Sequence, residues 1–366
     1  MRGGVQRFPA LAPADAPMIG PIDHAGDSPS MGTSLTLQTP RDYLLPRDYC
    51  SYGYFLLEPN FWSPAERELR TTLDVGAPGR PAATTLRVTQ PGKKGDPLKV
   101  RADRTLSPAE KKQAKKLLAR MMRLNEDHEV IRAFHKVDPR QKKLGRGRLM
   151  RSPTFFEDVI KTVTSCNVTW PSTIIMNRRL CEVVGEKSPS GFFAFPSAAK
   201  LASVHPTLIR ERCSVGYRDA RIVELARMFA TSEISAERFE GDALSDDDMF
   251  DALQDWPGIG PYAAANIMQL LGRYGRLPLD TESVRHGRDV LGFKGTSAKI
   301  MKRVHTHFAP FGEHAFRSYW FEMWEHYEAE RGRSWTWERE TTGKTFTAAK
   351  LRAEMVKDAK KQSKKK

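Results

Sequence analysis

The sequence predicts an α+β protein, a small antiparallel sheet near the amino terminus followed by a many-helix body. Strand-forming residues concentrate between Tyr43 and about Asp103. From Ser107 onward apolar residues recur at helical spacing, in segments separated by glycines. At 366 residues, the chain is long enough to bury a core without staples.

Residues 1–40 carry six prolines among Gly, Ala, Ser and Asp, and predict a disordered leader. The sheet region is expected over 41–106. Tyr52–Leu57 is an apolar run, while Thr84–Gln90 and Leu98–Asp103 alternate; Pro91-Gly92-Lys93-Lys94-Gly95-Asp96 joins the last two with hairpin chemistry. Ser107-Pro108-Ala109-Glu110 is a capping box with proline at the first helical position, so a helix opens there. Further helices are predicted at about 153–166, 171–185, 197–202, 206–212, 218–230, 247–255, 261–272, 281–291, 296–308 and 313–331, which places the helical domain at 107–332. A basic extension, 333–366, ends in Lys357-Asp358-Ala359-Lys360-Lys361-Gln362-Ser363-Lys364-Lys365-Lys366, a pattern expected to be mobile.

Fifty-nine Lys and Arg against 44 Asp and Glu leave a net charge of +15, which draws a chain toward polyanions: nucleic acid or an anionic membrane surface. No run approaches the roughly 18 apolar residues of a membrane span, and the amino terminus lacks a secretory pattern. Cys50, Cys166, Cys181 and Cys213 are scattered without a CxxC pair, which argues against a disulfide framework or zinc ribbon and for a reducing, intracellular setting.

Asp247–Asp289 is the informative stretch. Two amphipathic segments are joined by Pro257-Gly258-Ile259-Gly260, and Pro261 starts the second. Glycine is expected twice because the joint needs conformations that a Cβ forbids, with Ile259 plugging the gap between the helices. Such a joint aims unpaired N–H groups and a helix dipole outward, a phosphate site without side chains; a tight αα-hairpin is the plain alternative. Twenty residues after Gly260 comes Asp280, at a predicted helix start. It reads either as an N-cap or as a carboxylate facing whatever the hairpin holds.

This pairing resembles the helix–hairpin–helix (HhH-GPD) superfamily of DNA glycosylases of base-excision repair, particularly a plant and bacterial branch carrying Asp-[Ser/Thr]-Glu-[Ser/Thr]-Val-Arg-His. The likeness covers roughly 145–330. It includes Arg151–Asp158 with Ser165-Cys166-Asn167, Phe195-Pro196-Ser197, and Gly216–Arg221. The resemblance implies a two-lobed helical body that binds double-stranded DNA as a monomer and works with the genome, not at a membrane. It places the catalytic carboxylate at Asp280 and DNA contacts at Trp256, Pro257, Gly258, Ile259, Gly260, Asn167 and Arg151. A helix C-cap or loop amide is the plain alternative for Asn167. A base pocket is expected at Tyr262, Trp170 and His286, with Trp320 and Trp324 in the core, and the basic strip Arg140–Arg151 against phosphates.

Two departures refine the expectation. Tyr262 stands where bifunctional relatives carry an amine-bearing Lys, so a monofunctional enzyme is expected. No Cys follows Cys213, so no iron–sulfur cluster is expected. Relatives imply a monovalent cation, K+ or Na+, at the hairpin carbonyls; no other cofactor is expected. The competing readings are a non-catalytic damage-binding module of the same fold and a bifunctional glycosylase/lyase.

Overall fold

The computed structural model of the chain describes residues 32–77, 79–339 and 342. An antiparallel sheet is built from β1 (Ser34–Leu37), β2 (Asn60–Ser63), β3 (Glu68–Asp74), β4 (Ala83–Thr89) and β5 (Leu98–Ala102), in the order β1-β5-β4-β3-β2. The predicted β4–β5 hairpin is present, with Val88 opposite Val100. β1 corrects the leader expectation, because part of the proline-rich segment is ordered strand. Leu35 and Leu37 point into the core while Ser34 and Thr36 face outward, and the strand pairs with β5 from Ser34↔Arg101 to Leu37↔Leu98. Leader residues 1–31 and the Lys-rich end lie outside the described residues. The Tyr52–Leu57 run is not a strand: α1 (Leu45–Tyr49) precedes it and Gly53–Leu56 forms a 3-10 turn. Tyr54, Phe55, Leu56 and Leu57 are all buried, so the run has no polar face to alternate with.

The helical body comprises α2 (Pro108–Met121), α3 (His128–Val137), α4 (Phe155–Ser165), α5 (Trp170–Val184), α6 (Ala198–Ala202), α7 (Pro206–Cys213), α8 (Asp219–Ala230), α9 (Ala236–Glu240), α10 (Asp246–Gln254), α11 (Pro261–Leu271), α12 (Thr281–Asp289), α13 (Ser297–Phe308) and α14 (Ala315–Arg331). The Ser107–Glu110 capping box opens α2 as predicted. α3 and α9 were not foreseen, although Asp127 is a good N-cap for α3, its carboxylate accepting from the amides of Glu129 and Val130.

Two apolar cores hold these elements together. One joins the inner face of the sheet to α2, α12, α13 and α14, through residues such as Leu86, Val100, Leu118, Val284, Val304 and Phe316. The other fills the space between α4, α5, α8, α10 and α11 with Val159, Leu180, Ile222, Leu253, Ile267 and Met268. Helix α11 belongs to both, since Leu270 near its end packs in the first core.

Arg123 locks that crossing. Its guanidinium is buried and donates to the carbonyls of Gln269 (3.1 Å) and Leu270 (2.8 Å) at the end of α11, to Leu149 O (2.8 Å), and to Glu126 (3.0 Å). The charge sits where the helix dipole is negative and the last-turn carbonyls need donors. Substituting Arg123→Met should cost about 3 kcal/mol of unfolding free energy, because it strands those carbonyls and Glu126. Urea denaturation followed by circular dichroism measures it, and a loss under 1 kcal/mol contradicts the assigned role.

Candidate active site

Between the two cores lies a cavity of about 570 Å³ that receives side chains from both. Its amino-terminal edge is the α10–α11 joint. Gly258 adopts a left-handed φ of +79°, and a Cβ there would stand 2.6 Å from Arg221 Cδ. Gly260 is different. Its φ of −99° suits any residue, and a Cβ built on it meets nothing within 4 Å. The expectation that both glycines serve the turn is therefore corrected: only Gly258 does, and Gly260 leaves an open surface bare of side chain. Ile259 is buried in the second core and donates its N–H to Trp256 O (3.1 Å). Helix α11 has no side-chain cap; the N–H groups of Gly260, Tyr262 and Ala263 find no acceptor among the described residues. A row of donors thus opens outward, reinforced by the dipole of α11.

Across the cavity, Asp280 starts α12. Its Oδ1 accepts from the amides of Glu282 (2.9 Å) and Ser283 (3.1 Å), while Ser283 Oγ accepts from the Asp280 N–H (3.1 Å) and pairs with Tyr319 OH (2.9 Å). Oδ1 is thus the N-cap, while Oδ2 has no hydrogen-bond partner among the described residues. Asp280 lines the cavity and is partly buried. Burial, assisted by the nearby charge of Glu282, pushes its carboxyl up to about 6 against the opposing pull of the helix amides.

The walls are aromatic. Trp170 lies against the backbone of Gly53, where a Cβ would be 3.0 Å from its ring. Tyr262 faces the cavity from the first turn of α11. Burial and the charge of Asp280 raise the phenol of Tyr262 well above its ordinary range, so it stays protonated. The surprise is α14. Trp320, expected in the core, lines the cavity with Tyr319, Trp324 and Tyr327. It stacks on Trp324 (5.2 Å between centroids) and meets Tyr52 (4.6 Å), while its Nε1 donates to Ser51 O (2.8 Å). Tyr52 in turn donates to Asn266 Oδ1 (2.8 Å), and Asn266 donates to Thr162 Oγ1 (3.0 Å), which closes the polar floor.

Other predicted residues lie elsewhere. His286 is buried and bonded to Glu322 (2.9 Å) on the side of α12 away from the cavity, since six residues past Asp280 is about 240° around a helix. Trp256 is buried against Phe239 (4.9 Å) and Phe155 (6.0 Å), so its ring supports the joint from behind. Pro257 precedes the left-handed glycine without lining the cavity. Arg151 turns inward to Arg120 O (3.2 Å) and Leu270 O (3.3 Å). The basic strip is likewise mostly spent internally: Arg140 pairs with Asp138 and Glu322, Arg146 with Glu328, and Arg148 with Asp42.

Asn167 is exposed at the cavity mouth with a left-handed φ of +55°, a conformation asparagine tolerates. Tyr217, next in sequence to the Arg218 that reaches this loop, is a further aromatic to which the sequence reading assigns no role. At 57% exposure it is a large unburied aromatic, flanked by Arg218 (4.4 Å) and Arg221 (5.5 Å). Arg218 also donates to Cys166 O (2.6 Å), fixing the Asn167 loop, while Arg221 packs behind Gly258. Its glycine–aromatic–arginine setting was the available signal.

Among the described residues no helix is long and apolar enough to cross a membrane. No family model matches the chain, and no curated protein matches it by sequence. Solved structures do. MBOgg1 in complex with a low-affinity DNA ligand is 17% identical, with 82% of this chain and 97% of that one covered at a TM-score of 0.62. The apo 8-oxoguanine glycosylase/lyase of Clostridium acetobutylicum is 19% identical, covering 79% and 95% at 0.58. The 3-methyladenine DNA-glycosylase of Archaeoglobus fulgidus is 15% identical, covering 80% and 99% at 0.60. With its five-stranded sheet, two-core helical body and glycine joint across the cavity from a carboxylate, the chain shares the fold of these solved glycosylases.

Proposed function

We propose that this protein is a monofunctional DNA glycosylase that extrudes a damaged or mispaired base from duplex DNA and hydrolyses its N-glycosidic bond. The observation that carries this reading is Asp280, with one oxygen fixed by helix amides and the other uncommitted in an aromatic cavity. Such a carboxylate, once ionised, stabilises positive charge developing on a sugar as its base departs. The walls suit a base, since stacking on an aromatic is worth roughly 1–3 kcal/mol. The bare amides from Gly260 to Ala263 suit a phosphate, and the absence of a Cβ at Gly260 admits a backbone at close range. Asn167, exposed and lining the cavity, would occupy the space that an extruded nucleotide leaves, and the exposed ring of Tyr217 offers a second side chain for that role. Among the described residues no lysine lines the cavity, and Lys161 is buried against Glu157 (2.6 Å), which supports attack by water instead of an amine. The monovalent cation implied by relatives fits the neutral carbonyls of Pro257 and Ile259, which accept no hydrogen bond among the described residues. Bound there, K+ or Na+ would add positive charge beside the phosphate site.

The test is base release from duplexes bearing 8-oxoguanine, alkylated purines, uracil or mismatches. Strands should stay intact until alkali is added, and borohydride should trap no adduct. Binding should weaken steeply with salt; a flat dependence rejects phosphate contacts. Asp280→Asn should lower release by at least about 10²-fold while DNA binding persists; undiminished release rejects the mechanism.

Because the ionised carboxylate is the working form, the single-turnover rate should climb as pH rises through about 6 and then level off. Stability moves the other way. A carboxyl raised on folding favours the native state below its unfolded value of 3.8, and that contribution is lost as pH rises through about 6. Asparagine caps a helix as well as aspartate, so Asp280→Asn should stabilise the protein by about 1 kcal/mol at pH 8, read by thermal melting. Gly260→Ala should leave the melting temperature unchanged and weaken DNA binding at least tenfold.

A further inference from the structure

Resting on the glycosylase reading, we propose that Glu282 is a second catalytic carboxylate, the base that takes the proton from the attacking water. Glu282 lines the same cavity as Asp280, from the first turn of α12. Its Oε2 is held from two sides, accepting from Arg285 Nε (2.9 Å) and from Tyr327 OH. Arg285 is itself stacked on Tyr327, 4.7 Å from the ring centre. A glutamate whose only task was to anchor Arg285 would need no opening onto the cavity. This one is clamped by one oxygen, and Oε1 has no hydrogen-bond partner among the described residues. The arrangement repeats that of Asp280, whose Oδ1 is fixed and whose Oδ2 is uncommitted.

Two carboxylates beside one reacting carbon divide the labour of hydrolysis. Asp280 faces the sugar cation. The water oxygen forms its bond to C1′ as the C1′–N bond breaks, the bonding pair leaves with the base, and the water proton passes to Glu282 Oε1. The departing base takes a proton from solvent, and Glu282 returns its own to solvent. Charged and titratable groups surround the pair on each packed element: Arg285 on α12, Tyr319 and Tyr327 on α14, Tyr262 on α11, and Tyr52 and Cys166 beyond. Of these, Asp280 and Glu282 are the carboxylates that line the cavity among the described residues.

The experiment compares wild type, Glu282→Gln and Asp280→Asn on whichever lesion duplex the wild type processes, in single turnover, with and without sodium azide. Azide attacks C1′ without needing a base. Glu282→Gln should be slowed by about 10²-fold or more, azide should restore part of that rate with a glycosyl azide as product, and Asp280→Asn should gain nothing. The acid limb of any rate remaining in Glu282→Gln should also move to lower pH, because burial would then raise the Asp280 carboxyl without the added charge of Glu282. An unslowed Glu282→Gln, or a slowed one that azide does not rescue while its melting temperature equals wild type, overturns the assignment of Glu282. If Glu282→Gln melts early, Glu282→Asp, which keeps the carboxylate, supplies the second comparison: it should retain more azide-independent release than Glu282→Gln, and release no greater than that of Glu282→Gln overturns the assignment. Absence of base release by the wild type on every duplex instead sinks the glycosylase reading itself.

Discussion

A carboxylate whose two oxygens have different surroundings is the constraint from which the rest of the site follows. Oδ1 of Asp280 satisfies the first amides of α12, and this fixes the direction of the side chain without consuming Oδ2. For that to hold, α12 must begin where it does, and Pro278 and Leu279 must deliver the chain to the cavity wall. Ser283 ties the turn to Tyr319, so the helix start is registered against α14. Asp280, whose carboxyl burial raises, shares the cavity wall with the aromatic side chains that form the pocket. Positioning, electrostatics and the aromatic wall are therefore one arrangement.

The cavity exists because the protein has two cores and the reactive parts belong to different ones. Ile259 and Ala264 seat the glycine joint in the second core, whereas Val284 seats α12 in the first. Their relative placement rests on α11, which begins in one core and ends in the other, and on Arg123, which grips its last carbonyls. The sheet contributes more than scaffold. Tyr52 and Tyr54 reach the cavity from the turn preceding β2, and Tyr52 joins Trp320 to the buried Asn266.

What could be read in advance depended on the range of the interactions. The capping box of α2, the β4–β5 turn and the Pro-Gly-Ile-Gly joint are written in neighbouring residues, and all three are present in the fold. β1 was missed because its partner lies more than sixty residues away and nothing local distinguishes Ser34–Leu37 from leader. Tyr52–Leu57 misled because a run buried on every side carries no period. In the site, Asp280 and Tyr262 were legible from their spacing to the hairpin. The α14 aromatics were not, because a helical stripe looks the same whether it faces packed side chains or an empty cleft. His286 misled for a geometric reason: closeness in sequence to Asp280 put it on another face of the helix, beside Glu322. The basic strip failed because a guanidinium with a carboxylate at hand is already paired, as Arg140, Arg146 and Arg148 are.

The charge layout explains how an acidic site can sit inside a strongly cationic chain. A net charge of +15 draws a polyanion from a distance, but it does not say where the strand stops. The local fields decide that. Unpaired amides at the start of α11 attract a phosphate, while the carboxylates of Asp280 and Glu282 repel one from the opposite wall. In the proposed function, a backbone held at the first and excluded from the second would present its sugar to the acids. The negative pair is unfavourable for phosphate and favourable for a sugar that has begun to lose its base. In the proposed function the same two charges would disfavour a misplaced strand and stabilise the transition state of a correctly placed one, so such a site would gain from keeping its acids deep and its amides at the rim.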